Sequence, residues 1–129
     1  MRALVDTQSL IWYVDQDHRL TQLAQTTITD RTNDLLFSAA SLWEIAIKVG
    51  VKKLALSMPF RQWMSKDIAD LSLEIVPITL DHADVLVGLP AHHRDPFDRL
   101  LIAQALAENA PVVSADPAFD LYQGVRRIW

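Results

Sequence analysis

The chain has 129 residues, the size of one compact domain, and half of them are hydrophobic, so that a substantial core can form. It contains no cysteine, which excludes disulfides and thiolate metal sites and fits a reducing cytoplasm, and no apolar run approaches the roughly 20 residues of a membrane span. The 16 acidic and 12 basic residues give a net charge of −4, which argues against nucleic-acid binding by bulk charge alone, although carboxylates that hold divalent cations would inflate this count.

Short apolar runs alternate along the chain with longer segments of helical periodicity. In chain order, the predicted elements are a strand at 2–6, helices at 9–16 and 21–31, a strand at 35–38, helices at 41–50 and 59–71, a strand at 73–78, helices at 79–89 and 96–109, a strand at 110–116 and an edge strand at 125–129. The first segment is typical of a strand rather than a signal peptide, because its apolar run is short. The alternation predicts an α/β fold in which one domain, residues 1–129, has a central parallel sheet of four to five strands sandwiched by helices.

Several helix ends carry sequence signals. Thr21 is predicted to be the N-cap of the second helix, and Thr79 to start the fifth. Pro59 suits the first helical position, where no backbone N–H is needed. Gly50 is predicted to close the third helix, because glycine readily adopts the backbone conformation that ends helices.

Carboxylates occur where predicted strands end and predicted helices begin. Asp6 and Asp116 end the first and fourth strands, and Glu44 lies near the start of the helix that follows the second strand. Asp95 and Asp98 lie at the start of the last helix. In an open α/β sheet these positions share one edge, where ligands bind. We therefore expect at least three separate segments to bring acidic side chains to one place.

Such a cluster needs a cation. Two carboxylates about 6 Å apart repel each other by roughly 3 kcal/mol at an effective dielectric constant of 20. A bound divalent ion removes this repulsion. Because the candidate ligands are oxygens, with no cysteine and no histidine pair at ligand spacing, the pattern favours Mg²⁺ or Mn²⁺ over zinc.

Each acid also has a local explanation. Asp95, before a proline, is well explained as a helix N-cap, and Asp98 would complement the helix dipole. Asp6 and Asp116 could likewise cap the segments that follow them. Glu44 has Lys48 four residues later, a common pair on a helix surface. The metal hypothesis is favoured because all these independent explanations would otherwise have to hold together.

The segments VDTQSLIWYV, SLWEIAIKVGVKKLAL, LPAHHRDPFDRLLIAQA and VVSADPAFDLY resemble, in this order, the PIN-domain ribonucleases, and within them the VapC-type toxins of bacterial toxin–antitoxin pairs. HRDPFDRLLIAQA is the most specific segment of the resemblance. The resemblance implies a parallel sheet between helices and Mg²⁺- or Mn²⁺-dependent endonucleolytic cleavage of RNA. It also implies two protein partners: a second copy of the chain and a small antitoxin that blocks the site.

The same resemblance assigns roles to individual residues. The acidic quartet of the family falls on Asp6, Glu44, Asp98 and Asp116, and all four acids are present. Thr7 and Ser114 match small hydroxyl positions beside two of these acids. Asp95 matches an aspartate that is frequent in the subgroup but usually not counted in the quartet.

Basic side chains must bring RNA to an acidic pocket, and Lys48, Arg94 and Arg99 lie close to the acids in sequence. Each is an equally good candidate for a solvated surface charge. His92 and His93 are interpreted as loop residues rather than phosphate contacts. Lys52 and Lys53, which follow Glu44 at a greater distance, are further candidates for a cationic rim.

Two other functions fit the acids at strand ends. A Mg²⁺-dependent phosphotransfer enzyme of the haloacid-dehalogenase type would have a second aspartate two residues after Asp6, and Gln8 stands there instead. A non-catalytic module that sequesters RNA or a protein partner would not need the complete quartet. Both remain alternatives to the nuclease.

Overall fold

A computed structural model describes residues 1–129 as one five-stranded sheet flanked by six α-helices. The strands are β1 (Arg2–Val5), β2 (Asp34–Ser38), β3 (Glu74–Val76), β4 (Val112–Val113) and β5 (Arg127–Ile128). The helices are α1 (Thr7–Val14), α2 (Gln22–Thr29), α3 (Ala39–Gly50), α4 (Phe60–Leu71), α5 (Leu80–Val87) and α6 (Pro96–Ala107), and a short 3-10 helix spans Pro117–Leu121. None of the helices combines the length and the apolar character that a membrane crossing requires.

The strands are all parallel and lie in the order β3–β2–β1–β4–β5. Successive side chains of β1 point to opposite faces: Ala3 and Val5 belong to one hydrophobic cluster, which includes Trp63 of α4, and Leu4 belongs to another, which includes Ile102 of α6. Both faces of the sheet are therefore covered, as expected for a parallel sheet. The predicted α/β fold, with a parallel sheet between helices and the last strand at an edge, is confirmed.

The order of the strands reverses beside β1. The chain proceeds from β1 to β2 and β3 on one side and then returns to place β4 and β5 on the other side. Hydrogen bonds from Leu4 N–H to Pro111 O (2.8 Å) and from Asp6 N–H to Val113 O (3.1 Å) join β1 to the β4 segment. This reversal opens a crevice at the carboxyl ends of β1 and β4, which is where ligands bind in sheets of this kind.

The predicted helix caps are confirmed at Thr21 and Thr79, whose side chains accept hydrogen bonds from the N–H groups of Ala24 and His82. Pro59 occupies the position before α4 rather than the first helical position. The predicted third and fourth strands, 73–78 and 110–116, are shorter in the structure because hydrogen-bonded pairing is limited to three and two residues.

The helix α3 ends at Gly50 as predicted, but Gly50 does not adopt the left-handed conformation that often ends helices. Gly50 is the last residue of α3, Val51 is the C-cap, and Lys52 adopts the left-handed conformation with φ of 60°. The N–H groups of Lys52 and Lys53 bond the carbonyls of Val49 (3.1 Å) and Lys48 (2.8 Å), which is the Schellman arrangement. A lysine in this conformation carries a cost of about 1–2 kcal/mol, and the turn reverses the chain immediately after α3.

Asp67→Asn is expected to stabilise the protein at pH 8. Asp67 is 5% exposed and its Oδ2 has no hydrogen-bond partner, and desolvation raises the pKa of its carboxyl to about 6. A raised pKa means that ionisation of Asp67 destabilises the folded state. The resulting loss of stability is small below about pH 4, grows between about pH 4 and 6 and is complete above that range.

Thermal unfolding of the wild type and Asp67→Asn at pH 4 and pH 8 measures this effect. The variant should gain about 1 kcal/mol, or a few degrees in Tm, at pH 8 and little at pH 4. The exposed neighbour Asp70→Asn is the matched control, which should lack the gain at pH 8. An equal change in Tm at both pH values would contradict the assignment.

Candidate metal centre

Asp6 immediately follows the central strand and begins α1. Its Oδ1 accepts a 2.8 Å hydrogen bond from the Ser9 N–H, so that the predicted N-cap is real. Burial raises the pKa of Asp6, hydrogen bonds from Ser114 and Ser9 oppose this shift, and the charge of Asp116 adds to it. The cap therefore does not exclude a second role, because the carboxylate is also held beside another acid in a poorly solvated position.

Glu44 lies in the second turn of α3, and its side chain is only 12% exposed. The expected pair with Lys48 is present, with 3.0 Å between the Lys48 Nζ and the Glu44 Oε2. The carboxylate nevertheless does not belong to a solvated face, because Glu44 lines a cleft together with Asp6 and Asp98.

Asp95 and Asp98 differ in their surroundings. Asp95 is exposed and caps α6, since its Oδ1 accepts a 2.8 Å hydrogen bond from the Phe97 N–H. Asp98, in the first turn of α6, is partly buried, and desolvation raises the pKa of its carboxyl to about 6. The charges of Asp95, Asp116 and Glu44 contribute to this rise, and His93 opposes it.

Asp116 lies beyond the end of β4 and caps the 3-10 helix. Its Oδ1 accepts from the Ala118 N–H at 2.9 Å, and its own N–H donates to the Ser114 Oγ at 3.1 Å. The other carboxylate oxygen, Oδ2, is 3.0 Å from the Nε2 of His93. One candidate ligand atom from each of His93, Asp98 and Asp116 lies within 4.8 Å of the others.

The structure thus brings the four predicted acids together from four separate segments. Asp6, Glu44 and Asp98 line one cleft of about 210 Å³. Asp116 adjoins it, because its charge raises the pKa of both Asp6 and Asp98 and one of its candidate ligand atoms lies within 4.8 Å of one from Asp98. This arrangement follows from the fold, since β1 and the β4 segment are hydrogen-bonded neighbours and the starts of α3 and α6 face the same edge of the sheet.

The donor set fits a hard divalent cation. Carboxylate oxygens dominate it, and burial together with neighbouring negative charge raises the pKa of Asp6 and of Asp98, so that a nearby cation would favour their ionised forms. The Thr7 Oγ1 is buried without a hydrogen-bond partner, and Thr7 lines the cleft. This hydroxyl could donate a hydrogen bond to a water molecule in the coordination shell of such an ion.

The predicted basic residues divide into two groups. Lys48 lines the cleft, but the Arg99 guanidinium donates to the carbonyls of Pro90 (3.0 Å) and Leu89 (3.5 Å) and so braces the loop before α6. Arg94 is exposed in that loop and makes no salt bridge. Lys53 lines the cleft because the turn after α3 carries it back towards the acids.

His93 was expected to be a loop residue, and it does lie in the loop between α5 and α6, but its ring contacts Asp116. The hydroxyl of Tyr122 contacts the other ring nitrogen of His93, and the sequence predicts no role for this tyrosine. No local pattern relates these residues, because 29 positions separate them along the chain. The adjacency of His93 to the DPFD segment was the one available signal.

Two larger clefts, of about 410 and 670 Å³, lie between α1, α2 and α4. They hold Asp67 and Asp70 but none of the four quartet positions. Size therefore does not select the functional site; the convergence of carboxylates from separate segments does.

Asp95→Ala is expected to destabilise the protein by about 1 kcal/mol because α6 loses its N-cap, with little change in any metal-dependent activity. Asp95→Ser, which keeps a capping oxygen, is the matched control and should retain most of the stability. Denaturant unfolding and an activity assay on the same samples separate the two roles. A loss of activity in both variants, with the stability of Asp95→Ser intact, would instead give Asp95 a part in the chemistry.

The sequence profile of the PIN domain matches residues 3–125. The match covers nearly the whole chain, and the chain belongs to the PIN-domain family. The resemblance to this family is therefore confirmed. No curated protein shows a significant match to the sequence.

Solved structures with the same fold come from toxin–antitoxin complexes. A chain of VapBC2 from Rickettsia felis, crystallised with a DNA fragment from their promoter, is 21% identical, with a TM-score of 0.68 over 98% of this chain and 97% of that one. A chain of VapBC-5 from Mycobacterium tuberculosis is 23% identical, with a TM-score of 0.64 over 98% and 97%. A chain of VapBC-1 from nontypeable Haemophilus influenzae is 14% identical, with a TM-score of 0.66 over 98% and 96%. At these identities, the likeness establishes a shared fold.

Proposed function

We propose that the protein is a Mg²⁺- or Mn²⁺-dependent endoribonuclease, a hydrolase of phosphodiester bonds, and the toxin of a type II toxin–antitoxin pair. The observation that carries this proposal is the meeting of Asp6, Glu44, Asp98 and Asp116 at one edge of the sheet, with the pKa of Asp98 raised to about 6. Membership of the PIN-domain family, whose members are generally nucleases, supports the same reaction class.

In this proposal the four carboxylates hold the metal, and the bound ion supplies the Lewis acidity that activates water and stabilises charge on the scissile phosphate. Asp6 and Asp116 are the most firmly oriented, because backbone N–H groups fix one oxygen of each. Ser114, which is buried, supports both of these acids. The free Thr7 hydroxyl is available to donate a hydrogen bond to a phosphate oxygen or a water molecule in the cleft.

RNA would approach along the side of the cleft formed by the end of α3. Lys48 and Lys53 line this side and offer positive charge beside the acids. Arg94 is exposed in the neighbouring loop and is free to reach a more distant phosphate. Arg99 is a weaker candidate, because carbonyl oxygens already occupy two of its donors.

The protein partners follow from the same family relationship. The neighbours with this fold are chains of VapBC complexes, which supports a small antitoxin as the regulator of this chain in the cytoplasm. A homodimer is supported by an apolar surface on α3 and the residue after it, where Trp43 is 62%, Ile47 41% and Val51 57% exposed. Exposed groups of this size and type are typical of protein interfaces.

Metal withdrawal tests the function. The purified protein should cleave RNA in Mg²⁺ or Mn²⁺, lose this activity in EDTA and regain it when either ion is restored, because the carboxylates cannot replace the Lewis acid. Sequencing the ends of cellular RNA after a pulse of expression would identify the target. Cleavage that is fully resistant to EDTA would reject the proposal.

Expression in a host separates the proposal from its alternatives. A nuclease should arrest growth, and Asp6→Asn should relieve the arrest, whereas a sequestering protein should arrest growth in both forms. A phosphotransfer enzyme would instead form a covalent phosphoenzyme that can be trapped. Gln8 argues against it, because this cleft residue stands where a second aspartate would be needed.

A further inference from the structure

His93 lies between a tyrosine hydroxyl and a carboxylate. Its Nδ1 is 2.9 Å from the Tyr122 hydroxyl, its Nε2 is 3.0 Å from the Asp116 Oδ2, and its backbone N–H donates to the same hydroxyl at 3.1 Å. The side chain of His93 is 8% exposed and Tyr122 is 2% exposed. Neither His93 nor Tyr122 belongs to the four proposed metal ligands, so neither has yet been given a function.

Of the two neutral tautomers of His93, these contacts favour the one with its proton on Nε2. The backbone N–H can only donate, so the Tyr122 oxygen accepts from it and has its own proton left to donate. If that proton goes to Nδ1, the proton of the neutral imidazole is on Nε2, facing Asp116. The opposite tautomer would place an Nε2 lone pair 3.0 Å from a carboxylate oxygen and would leave the tyrosine proton without an acceptor.

The ring is also held by packing. It stacks on Tyr122, with ring centroids 5.4 Å apart and an angle of 14° between the planes, and it packs against Phe119 with centroids 5.2 Å apart. Phe119 and Tyr122 are both buried, and both belong to the segment that Asp116 begins. The 3-10 helix and its following residue therefore fix the donor and the acceptor relative to each other.

We propose that His93 is a positioning residue that acts through Asp116, and that Tyr122 sets its tautomer. The Nε2–H group fixes Oδ2 of Asp116 while the Ala118 N–H fixes Oδ1, so that the carboxylate is held at both oxygens, with a candidate ligand atom within 4.8 Å of one from Asp98. Donors of this kind behind a metal ligand orient the ligand and strengthen its hold on the ion. This inference rests on the proposed function in that it takes Asp116 as a metal ligand.

A different role for His93 would be direct ligation. The 3.0 Å between Nε2 and Oδ2 also matches neighbouring ligands on one ion, which are about 3 Å apart when metal–ligand bonds are about 2.1 Å. Ligation would require a bare Nε2 and hence a proton on Nδ1. The hydrogen bonds around Tyr122 favour the proton on Nε2, and the two roles predict different spectra.

Long-range ¹H–¹⁵N correlation spectra of the metal-free protein test the tautomer. We expect His93 to show a protonated Nε2 and a bare Nδ1, with signals assigned by their loss in His93→Gln. Tyr122→Phe should shift the Nδ1 signal of His93 because a hydrogen bond is lost, and should leave the signals of His82, on α5, unchanged. A proton on Nδ1 of His93 in the wild type would overturn the inference.

Mn²⁺ titration followed by electron paramagnetic resonance tests the effect on the site. His93→Leu should weaken Mn²⁺ binding about 10- to 100-fold, whereas His93→Gln, whose amide keeps a donor at the same reach, should stay within a few-fold of the wild type. Tyr122→Phe should give a smaller loss, and His18→Leu, at an exposed position between α1 and α2, should give none. Tm values of all variants identify any change caused by misfolding.

Pulsed measurements on bound Mn²⁺ complete the test. Mn²⁺ bound to the wild-type protein should show no coupling to a directly bonded nitrogen. A coupling that is present in the wild type and lost in His93→Gln would identify His93 as a ligand and overturn the positioning role. Equal weakening in His93→Gln and His93→Leu would also overturn it. If the wild type binds no Mn²⁺, the metal site and the positioning role both fail, whereas loss of RNA cleavage with intact Mn²⁺ binding would reject only the nuclease.

Discussion

Asp98→Asn is expected to lower metal-dependent RNA cleavage about 100-fold or more and to stabilise the metal-free protein at the same time. Activity falls because the cleft loses a charged ligand near its centre. Stability rises because desolvation and the charges of Asp95, Asp116 and Glu44 raise the pKa of Asp98 to about 6, so that ionisation costs folding free energy above that pH. Since the side chain is only partly buried, we expect a gain of about 1 kcal/mol rather than the full value of the shift.

Initial rates of RNA cleavage and Tm values in EDTA at pH 8 and pH 4 measure the two effects together. The gain in Tm should be present at pH 8 and mostly lost at pH 4, which lies well below the folded pKa of about 6 and close to the unfolded value of 3.8. Asp84→Asn, an exposed change on α5, is the matched control and should alter neither quantity. Full activity in Asp98→Asn would remove this residue from the site.

Mg²⁺ or Mn²⁺ is expected to raise the Tm of the wild type by several degrees. An ion that binds only the folded state adds about 2.7 kcal/mol of stability at a concentration 100 times its Kd. The Kd itself should be low, because binding relieves the repulsion among carboxylates that the fold already holds together. Differential scanning calorimetry over a range of metal concentrations gives both the size of the gain and the Kd.

Asp6→Asn and Asp116→Asn should each remove most of this gain. Glu74→Gln, at an exposed position on the edge strand β3, is the matched control and should keep it. The same rise of Tm in Asp6→Asn as in the wild type would show that the ion binds elsewhere, and it would contradict the site even if cleavage required metal.

The location of the acids could be predicted because it depends on the order of elements rather than on side-chain detail. Asp6 directly follows an apolar run, and Glu44, Asp98 and Asp116 lie close to other strand ends and helix starts. In a parallel sheet those positions share one edge whatever the loop geometry is. Helix capping and a place in the acidic cluster turned out to be compatible. Asp6, Asp95 and Asp116 all cap helices, and Asp6 and Asp116 also belong to the cluster.

The supporting residues could not be predicted, because they depend on contacts between distant segments. Lys53 lines the cleft because the chain turns at Lys52, which has a left-handed backbone conformation. The sequence predicts this conformation for Gly50 instead. His93 meets Asp116 and Tyr122 only after the loop before α6 folds over the end of β4. The burial of Asp67 was equally hard to predict. Aspartate is usually exposed, but Asp67 lies with Trp63 and Met64 on the buried face of α4.

The pairing of β1 with both β2 and β4 also determines when the acidic cluster can form during synthesis of the chain. Leu4 pairs with Leu36 on one side and with Val112 on the other, so that the middle strand lacks one neighbour until most of the polypeptide has been translated. Asp6 meets Asp116 only through that late contact. The acidic cluster therefore cannot assemble until most of the chain has been synthesised, because two of its four carboxylates, Asp98 and Asp116, lie in the final third of the sequence.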